Sequence, residues 1–365
     1  MSSLLALDAS CLASSRLTGV ERSFLLTLEA LLRLPGAPRC AIFHPRLDVL
    51  PEDYPRGAEA IEIPALPLRL WRSTLLPRTL YELGADALLS PIAALPRMAP
   101  CPRIATVHEL PSSHAEAREN AFEELRHERA YEELERRAAR VIVPSKHTRR
   151  DLLARWPQLE SRVRVIPQPL HSQFHAEYPP MPFAARRGLL FVGKARRRKN
   201  LDRILQAWRD IPPSLREGHK LYWAGGSIDA GGRAALAPDL ELLPELGQPE
   251  LVHRMQMVRG VLLPSLSEGF GLPALESLAL GTPVLASRGG VSDELCGDLA
   301  TLVDPYDVES IRVGMTRLLR EDEHVQRARQ RGPGLARAFT AERSARGWLE
   351  LLDELSLEAQ QGGRA

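Results

Sequence analysis

Short β-type runs alternate with longer helical patterns along the whole chain, and this alternation is the signature of parallel sheets covered by helices. In the first half the β-type runs are Leu4–Leu7, Ala41–Phe43, Ala87–Ser90, Ile104–Val107, Val141–Pro144 and Val163–Pro167. Helical stretches such as Gly19–Leu34 and Ala115–Arg140 lie between them. In the second half the runs are Gly188–Val192, Lys220–Ala224, Leu240–Leu243, Gly260–Pro264, Thr282–Ala286 and Thr301–Val303. Helices are expected there over Asn200–Arg209, Pro249–Met257, Pro273–Leu280 and Val308–Arg331. At 365 residues the chain has room for about two domains. Three prolines within Tyr178–Pro182 favour an extended connection, which predicts a linker over 178–187. The expectation is a Rossmann-like domain over 1–177, a second over 188–338, and a C-terminal helix and tail over 339–365 that can pack back on the first. Doubly wound halves display ligand residues outside the carboxyl ends of their strands, so the expected α/β architecture has two facing domains with a cleft between them.

Composition narrows the function classes. Hydrophobic residues make up 44% and charged residues 26%, which suits real cores and argues against disordered or collagen-like chains. A net charge of +2 gives no global field for nucleic acid, so no nucleic-acid partner is expected. Cys11, Cys40, Cys101 and Cys296 form no C-x-x-C or Cys/His cluster, so neither a disulfide framework nor a zinc site is indicated. His171 and His175 stand four apart beyond Pro169, outside a convincing helix, and are not read as metal ligands. The start, MSSLLALDAS, lacks a basic region, and Asp8 ends its apolar run, so it reads as a strand rather than a signal peptide. No run of 18 apolar residues occurs, and a soluble, cytoplasmic protein is expected. Leu66–Leu80 mixes Trp, Leu and Arg; it reads either as a membrane-surface contact at the inner face of the membrane or as a helix packed on the sheet.

The richest segment runs from Leu262 to Ser287 and reads strand, glycine loop, helix, strand. Pro273 suits the first helical position, and Gly281 the C-terminal cap. Gly269 and Gly271 let backbone approach a ligand, and the free N–H groups at a helix start make an anion site fit for a diphosphate. Glu268 in the loop and Glu276, expected in the first helical turn, are carboxylates able to accept paired hydrogen bonds from vicinal diols. The plainer reading is an acidic first turn complementing the helix dipole.

Two further segments carry chemistry. Only four of the 48 Lys and Arg residues are lysine, and two of these, Lys194 and Lys199, fall in the short stretch Gly193–Asn200. That stretch closes a strand with a glycine turn rich in cations, which could meet a leaving dianion or be a solvated basic turn. It is not a Walker A loop, since G-x-x-x-x-G-K-[ST] is absent. His108 follows the Ile104–Val107 run, where a doubly wound domain displays site residues, although a lone histidine there also suits a structural role.

With these residues in place, the Glu268–Glu276 run resembles the Glu-x7-Glu signature of the family 4 retaining glycosyltransferases, whose fold is GT-B. Other matches keep the family's order: Thr18-Gly19-Val-Glu-Arg22, Thr106-Val-His108-Glu109-Leu, Val143-Pro-Ser145, Val165-Ile-Pro167, Phe191-Val-Gly193 with Arg198-Lys199-Asn200, and Val303-Asp-Pro-Tyr-Asp-Val308. The chain departs in having Glu109 where the family commonly has Asp, and arginines where it often has Glu-Pro before the Arg-Lys pair. The resemblance implies transfer of a hexosyl, mannosyl-like group from a nucleoside-diphosphate sugar to a hydroxyl of a glycan or lipid-linked acceptor, in surface polysaccharide biosynthesis. It implies retention of configuration without a metal or cofactor. His108 and Glu268 would be the catalytic pair. Lys194, Arg198, Lys199, Gly269, Phe270, Gly271, Leu272 and Glu276 would bind the donor, with Gly19 and Glu109 at the acceptor or cleft edge. Another GT-B enzyme, such as an epimerase or phosphorylase, or a silent nucleotide-sugar-binding protein, is the alternative.

Overall fold

The computed structural model describes residues 3–12, 17–46, 54, 55, 57–63, 67–110, 115–117, 121–179, 181–225, 237 and 239–362. The chain forms two compact units. The first comprises Met1–His108, Phe122–His171 and Phe339–Ala365, and the second Glu109–Ala121 and Ser172–Ala338.

The first unit is built on seven strands: β1 Leu4–Asp8, β2 Arg39–His44, β3 Glu59–Glu62, β4 Ala87–Ser90, β5 Arg103–Thr106, β6 Arg140–Val143 and β7 Val163–Val165. Their order is β3-β2-β1-β4-β5-β6-β7, and every neighbouring pair is parallel. Side-chain alternation along β1 explains why both faces are covered. Leu5 and Leu7 join one core with Phe24, Leu28, Ile42 and Trp348. Leu4 and Ala6 join another with Phe43, Trp71, Leu76 and Leu80. The second core fixes the part of Leu66–Leu80 that lies within the described residues as a helix on the sheet. Leu68–Leu70, a π turn at Trp71–Leu75 and Leu76–Leu83 run on as one helical stretch, with Trp71, Leu76 and Leu80 buried. Leu66 lies outside the described residues. The C-terminal helix, Ala341–Gly362, belongs to this unit. The Trp348 ring stands 5.5 Å from Phe24, Ser344 Oγ donates to the Pro167 carbonyl at 2.6 Å, and Glu354 pairs with Arg164 at 2.8 Å.

The second unit repeats the plan with six strands: β8 Leu189–Val192, β9 Leu221–Ala224, β10 Leu240–Leu243, β11 Gly260–Leu263, β12 Val284–Ser287 and β13 Ala300–Val303. The order β10-β9-β8-β11-β12-β13 is again wholly parallel, and both sheets reverse direction of growth beside their first strand. Its core gathers Phe191, Trp208, Trp223, Leu262, Ile311 and Met315.

Several sequence expectations are corrected here. The 178–187 stretch is not a free linker, since Phe183 sits in a 3-10 turn and is buried in the second unit's core. Its Pro180 lies outside the described residues. The chain crosses between units at His171–Ser172 and Ala338–Phe339, and residues 109–121 also belong to the second unit. Val308–Arg331 is two helices, Val308–Leu318 and Glu323–Ala336, because Asp322 caps the second by accepting from the Val325 N–H at 2.8 Å. Of Ala115–Arg140, the described part is a turn at Ala115–Ala117 and a helix at Ala121–Arg137, after which Arg140 already opens β6. The edge strand β3 and the helices Lys146–Arg155 and Val291–Cys296 are additional elements. No helix among the described residues is long and apolar enough to cross a membrane.

Candidate functional site

In the second unit the carboxyl ends of β8 and β11, at the point where the strand order reverses, carry the loops singled out in the sequence. After β8, Gly193 turns the chain with φ 137°, and its carbonyl accepts the Trp223 Nε1–H at 2.8 Å. Arg197–Lys199 form a single 3-10 turn ending at Asn200, which adopts the left-handed conformation at φ 59°. Asn is among the few residues that tolerate this. Its buried amide donates to the Pro264 carbonyl at 2.9 Å and the Pro305 carbonyl at 2.6 Å, tying this turn to the loops after β11 and β13. The Leu266 N–H adds a bond to the Arg198 carbonyl at 2.8 Å. Asn200 is thus the scaffold on which the neighbouring cations are mounted.

Those cations meet Glu268. Lys199 Nζ is hydrogen-bonded to Glu268 Oε1, which also accepts from Ser265 Oγ at 2.8 Å. Arg198 Nη1 lies 3.5 Å from Glu268 Oε2 and 3.2 Å from Glu109 Oε2. The longer side chain at 109 therefore reaches the guanidinium. The Lys199 and Glu268 side chains are each only 13% exposed, so these charges interact with little screening by water. Burial alone would raise the Glu268 pKa, but Lys199, Arg198 and the bonds from Lys199 and Ser265 outweigh it and hold the carboxyl below the usual carboxylate range. For Glu109, burial and the nearby Glu268 charge outweigh Arg198, Lys199 and Arg196, and its pKa is raised. Two carboxylates on one guanidinium are thereby split, one held ionised and the other more easily protonated.

The chain runs on from Glu268 through buried Gly269 and Phe270 to Gly271, then into the helix Leu272–Ala279. Gly271 has φ +78°, which favours glycine, and a Cβ there would stand 2.9 Å from Ser292 Oγ, so that hydroxyl would have to turn away. Pro273 is in the first turn and Gly281 turns the chain after the helix at φ 60°. Glu276 falls in the second turn, not the first, because the helix begins at Leu272; it is half-buried. The Phe270 ring is buried, so a ligand could meet that residue only through its backbone. Lys194 is exposed.

The remaining site residues, Gly19 and His108, lie in the first unit. Gly19 opens the helix Gly19–Leu31 behind Thr18, whose side chain and Glu21 form a capping box. His108 follows β5 and is half-buried. His108 Nε2 is 2.7 Å from the Pro91 carbonyl, which can only accept, so Nε2 carries the hydrogen. Nδ1 then accepts from the Gln168 side-chain amide at 3.1 Å. Burial lowers the His108 pKa, with the Pro91 bond opposing. Gln168 and Pro91 were not among the sequence candidates, and neither carries a local signal beyond the Val165-Ile-Pro167 match beside Gln168. His108 shares a cavity of about 40 Å³ with Val20 and Gln168. Among the described residues no group of three His, Cys, Asp or Glu side chains is arranged to hold a metal ion.

The family model for glycosyltransferase family 4 matches residues 17–174, and that for glycosyl transferases group 1 matches residues 185–334. The chain belongs to the family 4, group 1 glycosyltransferases. Among curated relatives, O-antigen chain mannosyltransferase B of Escherichia coli is 30% identical over 163 residues, 42% of this chain and 42% of that protein. The match thus spans less than half the length of that relative. Among solved structures, sucrose-phosphate synthase from Thermosynechococcus elongatus superposes with a TM-score of 0.75 at 18% identity, covering 98% of this chain and 100% of that one. Anabaena HepE in complex with UDP and glucose gives a TM-score of 0.74 at 15% identity, covering 97% and 100%. The fold is GT-B.

Proposed function

We propose that the protein is a retaining hexosyltransferase that moves a mannosyl-like group from a nucleoside-diphosphate sugar to a hydroxyl of a glycan or lipid-linked acceptor in surface polysaccharide biosynthesis. The observation that carries this reading is the Arg198–Lys199–Glu268 cluster at the β8 and β11 strand ends, directly before the helix that opens at Leu272. Two cations and a helix start suit a diphosphate, and a carboxylate between them suits sugar hydroxyls. In this reading Arg198 and Lys199 take the diphosphate, with the Gly269–Leu272 backbone and Lys194 beside it. Glu276 accepts hydrogen bonds from the ribose hydroxyls, and Glu268 orients the sugar. These cations stabilise the charge that grows on the leaving phosphate, so neither a metal nor a cofactor is called for.

Chemically, the bond from the anomeric carbon to the diphosphate oxygen breaks as the acceptor oxygen attacks from the same face. The departing phosphate takes the acceptor proton, which balances the step and leaves Glu268 as a positioning group rather than a nucleophile. His108 is the group proposed near the anomeric centre. Its Nδ1 partner, the Gln168 amide, is the longer of its two bonds and the one a sugar hydroxyl would replace. The acceptor belongs to the first unit, with Gly19 at its edge, and Glu109 stands beside Arg198. The proposed setting is the cytoplasm. A peripheral membrane contact is supported by exposed Leu68, Leu70, Tyr81 and Leu83 near Arg69 and Arg78. A thermal-shift panel of UDP-, GDP-, ADP- and dTDP-sugars tests the reading: one base is expected to raise Tm specifically, and no shift from any of them would count against it.

A further inference from the structure

The second unit holds a cavity of about 670 Å³, within the size range of small-molecule sites. Its walls include Arg186 just before β8, Gln256 just before β11, and Gly281 after the Leu272–Ala279 helix. These positions put it at the amino-terminal ends of the strands, the opposite end of the sheet from Glu268.

The charges in its wall do not balance. Arg186 is only 3% exposed, yet among the described residues no carboxylate pairs with it; it donates to Thr282 Oγ1 at 2.7 Å and to the Met181 carbonyl at 3.4 Å. Buried arginines are rarely left without an anion, because desolvating the charge is costly. Arg329, also in the wall, is paired with Glu321 and donates to the Met181 carbonyl at 3.2 Å, but its buried Nε has no hydrogen-bond partner. Arg259, which is not part of the wall, stacks on Phe183 at 4.8 Å while Arg329 faces the same ring at 5.4 Å. Burial first, and then the neighbouring Arg329 charge, push the Arg186 pKa down to about 10 against the opposing pull of Glu321. Glu321 also opposes the lowering at Arg259. The lining thus holds three guanidiniums, Arg186, Arg329 and Arg337, against two carboxylates, Glu177 and Glu321, and among the described residues neither carboxylate pairs with the most buried of the three, Arg186.

We propose that this cavity binds a small hydroxylated anion, a phosphate monoester of a sugar or polyol. Arg186 and Arg329 take the phosphate, with the unpartnered Arg329 Nε among the donors. Gln256, Gln326 and Gln330, which line the same space, offer amides to the hydroxyls.

The test is calorimetric titration of the full chain with ribose 5-phosphate, with ribose as the uncharged control. Wild type is expected to bind the phosphate ester and not ribose. Arg186→Gln and Arg329→Gln should each weaken binding at least about 10-fold, the scale of a lost charge-assisted hydrogen bond. Lys199→Ala, at the other end of the sheet, should keep wild-type affinity. Circular dichroism melts check that each variant is folded, and Arg329→Gln, at a half-exposed position, carries the test if Arg186→Gln does not fold. Absence of binding to wild type, equal binding of ribose, unchanged affinity in Arg329→Gln, or loss of binding in Lys199→Ala would each overturn the proposal.

Discussion

Replacing Lys199 with Ala removes the cation in closest contact with Glu268 and leaves a carboxylate that is 13% exposed. Breaking a buried ion pair outright costs about 3–5 kcal/mol. Here the loss is partial, because Arg198 Nη1 remains 3.5 Å from Oε2 and Ser265 Oγ 2.8 Å from Oε1. At an effective dielectric constant of about 20, charges at that Arg198 spacing attract by roughly 5 kcal/mol before solvation is deducted, so Arg198 keeps a large share of the compensation. The expected loss is about 2 kcal/mol at neutral pH. Its pH dependence follows from the depressed Glu268 pKa. A carboxyl whose folded pKa lies below its unfolded value stabilises the fold above that unfolded value, about 4.3 for Glu. This stabilisation is lost as pH falls through the depressed folded value. Lys199→Ala raises the folded value, so the gap between wild type and variant should be widest near pH 7.5 and should close on acidification below about pH 4.3. Native-state hydrogen exchange of β8 and β11 amides reads the second unit by itself. In a Glu268→Gln background, Lys199→Ala should cost much less. A gap under about 0.5 kcal/mol at pH 7.5, or one equally wide at both pH values, would refute the reasoning.

His108→Ala should lower kcat about 10²-fold or more with a much smaller change in donor affinity, as steady-state kinetics would show. Because the His108 pKa is lowered, any limb it contributes to the pH–rate profile should fall below pH 6.5. Glu276→Ala should act mainly on donor affinity, weakening it about 10- to 150-fold, or roughly 1.5–3 kcal/mol; an unchanged donor KM would remove Glu276 from the ribose. EDTA should leave transfer nearly unchanged, and a many-fold loss restored by Mg²⁺ or Mn²⁺ would contradict the cation-only donor site.

Strands buried on both faces were the most legible part of the sequence. Ala87–Ser90 coincides with β4 and Gly260–Pro264 overruns β11 by one residue, because short aliphatic runs bounded by turn residues have few other uses. Edge strand β3, Glu59-Ala-Ile-Glu62, escaped because four residues with charges at both ends show no buried run. Asp322 divides Val308–Arg331 by a cap that helical periodicity does not reveal. At the candidate site the ligand-facing types were legible at Arg198, Lys199 and Glu268, where charge and glycine punctuate a strand end. Their supports were not. Asn200, Ser265, Pro91 and Gln168 act through contacts of 64, 3, 17 and 60 residues' separation, and only the Ser265–Glu268 contact is local enough for spacing to reveal. The family resemblance supplied the order of these segments, while the reach of Glu109 to Arg198 required the coordinates.

In the proposed function, nucleoside-diphosphate sugar chemistry depends on the Lys199–Glu268 cluster together with His108. Its most direct test is the rate of nucleoside diphosphate release from the base-matched donor, measured in the presence of acceptor glycan extract for wild type, Lys199→Ala and His108→Ala. Steady release by wild type and a drop of about 10²-fold or more in both folded variants are expected, with free nucleoside diphosphate binding poorly only to Lys199→Ala. Release at wild-type rates in both variants, or none from any nucleotide sugar by the folded wild-type protein, would contradict it.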